Sequence, residues 1–332
     1  MDQSTPAYRT VYKSKPSDLR IRHGQKLMSI GSCFSEGIGK RLAEGKFQID
    51  LNPFGQQYNP FSVANAIERL LQPVPYKAAD LQFHNGLYHS FDHHGDFSHD
   101  SVAKVLDHCN ARLAEASGVI ASCSVLFITL GTAHVFRWRK TGRVVSNCHQ
   151  LPNTDFDVAL SGAPVIVERL REVLAILRQV NPACRVVFTV SPVRYLALGM
   201  FENSVSKAQL FTAVHALLAD GHGYFPAYEL VVDDLRDYRF YANDMVHPSS
   251  QAIDYVWHHL AAAYFDAGTQ TLLQRIGEVQ AAARHRPRHA EGEAHRVFCG
   301  KFLQKARQLE EAYGVDMSEE KRLLGESVGG GC

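Results

Sequence analysis

The chain has 332 residues, 45% hydrophobic and 21% charged. That is enough apolar material for a large buried core, and it excludes a disordered chain. Thirty-five Lys and Arg face 34 Asp and Glu, a formal net charge of +1; the basic excess of a protein that coats nucleic acid is absent, and no nucleic-acid partner is expected. No run approaches the ~18 consecutive apolar residues of a membrane-crossing helix, so no membrane span is expected. The polar start MDQSTPAYRTVYKSKP lacks the apolar core of a secretory signal. The seven cysteines (Cys33, Cys109, Cys123, Cys148, Cys184, Cys299 and Cys332) are odd in number and contain no C-x-x-C pair. They read as reduced thiols, which places the protein in the cytoplasm.

In chain order, KLMSI at residues 26–30 is the first predicted strand, and a helical pattern follows through Ile38, Leu42 and Ala43. Residues 50–100 read as loop-rich, with NPFGQQYNP and FHNGLYHSFDHHGDFSH. Loops of that length are functional or carry small elements of their own. Helical spacing returns at 103–117, 164–180 and 206–219, and apolar runs at 124–130, 184–193 and 228–234 are predicted strands. A helix past Trp257 reaches Tyr264, and a charged helical tail spans about 269–325, broken at ARHRPRHAEGEAHR and frayed at GESVGGGC. The basic part of that break is balanced by Glu291 and Glu293 and reads as a solvated link. The alternation predicts an α/β fold, a three-layer α/β/α sandwich with a mostly parallel central sheet. The expected division is a catalytic domain at 1–268 with a helical extension at 269–332 packed on it.

In open parallel sheets, sites form where strand ends lead into helices. After the first strand comes Gly31-Ser32-Cys33-Phe34-Ser35-Glu36-Gly37. A cysteine at a helix N-terminus meets unpaired N–H groups and the positive end of the dipole, an environment that lowers a thiol pKa. Cys33 is therefore a candidate nucleophile; the blander reading is a small buried apolar group. Ser32 and Ser35 are rivals, with Ser35 reading more naturally as the helix N-cap and Glu36 in the first turn. In NDMVHPS, Asp244 and His247 stand three apart, so the carboxylate can hold one imidazole nitrogen and leave the other to take a proton. The bland alternative packs His247 before Pro248 and leaves Asp244 as a cap. His84, His89, His93, His94 and His99 invite a metal reading but lack H-E-x-x-H form, which favours a solvated loop or the lining of an acyl pocket. Arg194 in SPVRY either holds an anionic substrate group or pairs with a carboxylate.

The motifs GSCFSEGIG, NPFGQQYNP, LGTAHVF, SNCHQLP, TVSPVRY, NSVSK and YANDMVHPS fall in this order along the chain. Together they resemble the GSCFA family, which is itself similar to the SGNH (GDSL-like) esterases of SGNH/flavodoxin-like fold. The resemblance implies Cys33 at the nucleophile position, Ser32 where those enzymes carry an aspartate, and Asp244 and His247 as orienter and base. It also implies an oxyanion N–H donor at Gly55 and a third block at Gly131-Thr132-Ala133-His134. Ala133 stands where the superfamily has an oxyanion asparagine, so Thr132, Asn147 or His149 would have to replace that donor. The function implied is a hydrolase or acyltransferase that works on an ester, thioester or amide carbonyl through an acyl-enzyme. Its substrate would be a small or carrier-bound acyl group, and no cofactor and no metal would be required. The alternatives are a non-catalytic acyl-binding module that kept the fold, and a metal-dependent hydrolase built on the His84–His99 loop.

Overall fold

The computed structural model describes residues 10–286 and 292–329. The first nine residues of the polar start, the middle of the ARHRPRHAEGEAHR break and the last three residues, Cys332 among them, lie outside the described residues. The chain divides into two compact units. One comprises Met1–Lys13, Lys26–Gly39 and Ile49–His258; the other comprises Ser14–Gln25, Lys40–Gln48 and His259–Cys332.

In chain order, the early elements are β1 (Lys26–Gly31), α1 (Cys33–Glu44, whose residues from Lys40 on belong to the second unit), β2 (Gln48–Leu51) and α2 (Pro60–Leu71). The hairpin β3 (Leu81–His84) and β4 (Leu87–Ser90) comes next, then α3 (Val102–Ile120) and β5 (Val125–Leu130). A small antiparallel sheet follows, made of β6 (His134–Trp138), β7 (Val144–Val145) and β8 (Phe156–Leu160). Then come α4 (Ala163–Val180), β9 (Arg185–Val190), α5 (Met200–Leu218), β10 (Gly223–Tyr224), the short α6 (Ala227–Glu229) and α7 (Ser250–Tyr264).

Among the described residues the central sheet has the order β10-β9-β5-β1-β2, and β1, β5, β9 and β10 pair in parallel. All six residues of β5 are buried, as expected of a strand covered on both faces. Met28, Ile30, Leu126, Ile128, Phe188 and Val190 point into a core shared with α2, α3, α4 and α5, while Leu27, Val125, Phe127 and Val187 are buried on the opposite face. Each such side chain contributes about 1.5–3 kcal/mol by leaving water. The expected α/β class with a mostly parallel central sheet flanked by helices is the architecture observed.

Local chemistry sets the boundaries. The Asn59 side chain accepts from the Ser62 N–H and Pro60 opens α2, an N-cap followed by proline that ends the supposed long loop early. Asn85 and Gly86, both at positive φ, turn the β3–β4 hairpin. One predicted strand is absent. Residues 228–234 are helical instead, α6 running into a π-helical turn over Leu230–Leu235, while Gly223–Tyr224 fills the edge position beside β9. A short apolar run has no period that separates a strand from a buried helical turn. Here Leu230 and Val231 are buried from a helical backbone. Just ahead of β5 and β9, the sulfurs of Cys123 and Cys184 stand 3.7 Å apart.

The second unit holds α8 (Ala267–Arg284), α9 (Glu293–Tyr313) and α10 (Ser318–Gly329), with a core that includes Leu272, Ile276, Val279, Leu309 and Met317. These are the expected C-terminal helices. The segments 14–25 and 40–48 join them: Phe47 stacks on His23 and on Phe265, and the Lys46 ammonium pairs with Glu320.

At Gly31 a Cβ would lie 2.3 Å from the Thr129 carbonyl oxygen on the neighbouring strand, 2.6 Å from that residue's Cβ and 2.8 Å from its nitrogen. Gly31→Ala is expected to destabilise the fold by about 1–3 kcal/mol through forced strand separation. Thermal or urea unfolding checks it, and an unchanged midpoint would contradict the close packing of β1 on β5.

Candidate active site

The sheet order places a topological switch between β1 and β5. The chain leaves β1 for β2 on one side, and later fills β5, β9 and β10 on the other. A crevice at the carboxyl ends of those two strands is the position the topology offers a ligand. A cavity of about 340 Å³ opens there, lined by Ser32 and Cys33 after β1, Gly131 and Thr132 after β5, and Ser191, Val193, Arg194 and Tyr195 after β9. Tyr58, Val246 and His247 complete it.

Cys33 is the first residue of α1 and is half-buried. Burial pushes its thiol up, and Glu36 adds to that. The N–H groups of Phe34 and of Cys33 itself, and the Lys207 ammonium, pull the other way without prevailing. The expectation of a lowered pKa at this helix start is therefore corrected. The dipole acts as supposed, but desolvation of the anion outweighs it. A resting Cys33 is a thiol.

His247 donates from Nδ1 to Asp244 Oδ2 at 2.7 Å, while Asp244 Oδ1 accepts the N–H groups of Val246 and His247 at 2.9 and 3.0 Å. Those backbone bonds first, and the imidazole after them, hold the Asp244 carboxyl down to about 2. The carboxylate fixes the ring so that Nε2 is the nitrogen left to accept a proton. Ser35 is not the cap expected of it. It sits inside the first turn and its hydroxyl donates back to the Ser32 carbonyl at 2.6 Å. The Ser32 hydroxyl is buried without a partner at the cavity wall.

The remaining sequence candidates lie elsewhere or are already engaged. The Gly55 N–H donates to the Asn52 carbonyl at 2.7 Å, and Gly55 is not among the cavity's lining residues. Its positive φ and the 2.2 Å from a hypothetical Cβ to His94 Cβ make it a turn glycine. The Thr132 hydroxyl reaches the cavity but is held by Ser206 Oγ at 3.0 Å and by the His134 N–H at 3.1 Å. The Ala133 N–H donates to the same Ser206 oxygen at 2.7 Å. Asn147 and His149 are not lining residues either. Asn147 accepts the His149 N–H, and His149 Nε2 donates to the Ser90 carbonyl while its ring stacks on His89. In the histidine-rich loop, His89 bonds Ser98 and the His84 carbonyl, His93 packs on Phe54, Tyr76 and Phe97, and His94 and His99 pair with Asp96 and Asp100. Among the described residues no three His, Cys, Asp or Glu side chains converge as a metal-binding group.

Models of known families match almost the whole of the described chain. The model of the GSCFA family spans residues 26–260, and that of the GSCFA domain protein, C-terminal domain, spans 276–328. The chain belongs to the GSCFA family. No curated protein matches it. Among solved structures, an acetyl esterase mutant with acetate ion is 12% identical at a TM-score of 0.35, covering 77% of this chain and 99% of its own. A carbohydrate esterase family 3 protein from Talaromyces cellulolyticus is 11% identical at a TM-score of 0.34, covering 76% and 99%. An acetyl xylan esterase from the rumen bacterium Butyrivibrio proteoclasticus is 13% identical at a TM-score of 0.36, covering 77% and 65%. Among the described residues no helix is long and apolar enough to cross a membrane.

In this GSCFA protein the NPFGQQYNP motif braces the site. Asn52 Oδ1 accepts the Gly31 N–H at 2.9 Å, the Gln57 N–H donates to the Gly31 carbonyl at 2.8 Å, and the Tyr58 carbonyl accepts both the Gly131 and Thr132 N–H groups. One loop thus clamps the turns after β1 and β5. A chemically prominent group that sequence reasoning passed over is Lys207, the lysine of NSVSK. It is buried on α5, and its ammonium donates to the Gly131 and Ser191 carbonyls at 2.6 Å each. Complete burial draws it down to about 7, partly opposed by the Cys33 charge. A lysine on the buried stripe of a helix, four and three residues from Asn203 and Leu210, is the signal that could have disclosed it.

Burial holds His149 down to about 4. Unfolded, the same ring takes a proton near 6.5, so across that window the unfolded state binds more protons and stability falls as pH falls. His149→Gln is expected to flatten the loss of thermal stability between pH 6.5 and 4. An equally steep fall in the variant would contradict a buried neutral imidazole at this position.

Proposed function

We propose that this protein is a thiol-dependent acyl hydrolase or acyltransferase of SGNH type, with residues 1–268 as the catalytic domain and 269–332 as the extension. The observation that carries the reading is that Cys33 and His247 line one cavity while Asp244 holds the far side of the His247 ring. On this reading His247 Nε2 takes the Cys33 thiol proton as the sulfur bonds to the carbonyl carbon of an ester, thioester or amide. The tetrahedral intermediate collapses, the bond to the leaving group breaks, and His247 returns the proton to that group. Water or an acceptor nucleophile then gives its proton to His247, attacks the thioester, and Cys33 leaves as the thiol.

The upward shift of the Cys33 thiol makes the imidazole base necessary. The N–H groups of Cys33 and Phe34, already turned on the sulfur, are the donors best placed for the oxyanion in this scheme. Gly55 and Thr132 are engaged in other bonds, so the missing asparagine at Ala133 is made good by charge. Lys207 puts a cation behind the two strand ends, where negative charge grows on sulfur and oxygen. The intact Cys33, Asp244 and His247 set favours turnover over the binding-module alternative.

Intact-mass measurement after exposure to activated esters is expected to give one acyl adduct on Cys33, lost in Cys33→Ala. His247→Ala is expected to slow loading about 10²–10⁴-fold; equal adduct in Cys33→Ala would refute the proposal. Lys207→Met is expected to move the pH midpoint of Cys33 alkylation upward, because a cation that favours the thiolate is gone. A lowered melting temperature with an unmoved midpoint would make Lys207 structural alone.

A further inference from the structure

Arg194 is a cavity-lining side chain that the acyl-transfer scheme leaves without a task. It follows β9 and reaches towards the loop that carries Asp244 and His247. Its guanidinium lies 5.5 Å from the Tyr238 ring centroid and 5.2 Å from that of Tyr241, and Nη1 donates to the Tyr238 hydroxyl at 3.2 Å. Two aromatic rings and one hydrogen bond set the plane of the group and remove much of the rotamer entropy that ligand binding would otherwise cost.

The charge itself is unanswered. Among the described residues Arg194 has no carboxylate within ion-pair distance, whereas Arg112, Arg143, Arg169 and Arg171 each have one. No Asp or Glu lines the cavity; Asp244 is taken up with His247, and Glu36, near Cys33, accepts from Gln56. Among the described lining residues Arg194 supplies a guanidinium and none supplies a carboxylate. Guanidinium offers five donors in a planar fork, of which the tyrosine takes one.

We propose that Arg194 forms an anion subsite, and that the substrate carries a carboxylate or phosphate group held there. This deepens the acyl-transfer reading and rests on it for the word substrate, but the subsite itself is testable without any turnover. Tyr58, Val193, Tyr195 and Val246 supply apolar wall for the short hydrocarbon that links such a group to the reacting carbonyl. A dicarboxylic half-ester and an acyl group on a phosphate share this chemistry.

The test is protection of Cys33 from N-ethylmaleimide, followed by peptide mass mapping with Cys148 as the internal reference. Glutarate, inorganic phosphate and the uncharged isostere glutaramide are the three probes. Glutarate or phosphate at millimolar concentration is expected to slow Cys33 labelling at least fivefold in the wild type, while glutaramide does not. Glutarate acting alone assigns a carboxylate, phosphate acting alone a phosphate, and either supports the subsite. Arg194→Met is expected to abolish the protection. Arg194→Lys, which keeps the charge and guards against a folding defect in the first variant, is expected to retain part of it. Wild-type labelling untouched by both anions, slowed equally by glutaramide, or slowed equally in Arg194→Met overturns the proposal. If esters never load Cys33 while anion protection persists, acyl transfer fails and the subsite stands. If Cys33 loads but no anion protects it, the subsite alone is lost.

Discussion

A lysine enclosed in protein, with two carbonyl oxygens for company, is the constraint on which the site depends. Taking an ammonium out of water costs several kcal/mol even after relaxation. Lys207 meets that cost with 2.6 Å bonds to the Gly131 and Ser191 carbonyls, just past β5 and β9, and with a proton affinity lowered to near neutrality. Because α5 is anchored by Leu210, Ala213 and Leu217 in the core, the two carbonyls are held to a fixed support. The neighbouring Ser206 secures the turn after β5 by taking the Ala133 N–H and meeting the Thr132 hydroxyl. One helix therefore positions both strand ends, and the cavity floor is built before any ligand arrives.

A second brace works from the other side. Asn52, Gln57 and Tyr58 tie the turn that presents Cys33 to the turn that presents Gly131 and Thr132. Gly31 lets β1 approach Thr129 closely enough for this to happen, since any side chain there would meet backbone. Cys33 and His247 come from distant parts of the sequence, yet each is held locally: Cys33 by the helix start, His247 by its own D-x-x-H turn. Arg194 joins the β9 loop to the His247 loop through the tyrosines.

The buried parallel strands were legible because a strand covered on both faces is apolar throughout, as at 124–130 and 184–193. The same rule misled at 228–234, where an apolar run without period is helical. The small sheet of β6, β7 and β8 was not foreseen: its strands are short, and β8 is exposed over most of its length. Cys33, Asp244 and His247 stand out in the sequence as candidates because turn chemistry and a three-residue spacing are local, and the fold brings Cys33 and His247 to one cavity. The sign of the Cys33 shift was not, because the helix dipole is visible in sequence and burial is not. Gly55 shows the same limit from another direction. A glycine in a motif suggests a free N–H, but only the folded chain reveals that Asn52 has already claimed it. Lys207 went unnoticed for lack of any partner in sequence: its ligands are main-chain oxygens, which carry no residue code.

The second unit has a corollary for anyone who wishes to separate the helical tail from the rest. It is not appended like a bead on a string, for segments 14–25 and 40–48 are members of it. Trimming the chain near residue 268 would strip away Leu273, against which Gly45 closes, and Glu320, the counter-ion of Lys46. An orphaned cation and a bare apolar seam would remain on the shortened product, and stickiness on handling would be its signature. Evolution would face the same bar, so gain or loss of the tail by simple gene fusion would demand compensating changes ahead of β1 and at the C-terminal end of α1.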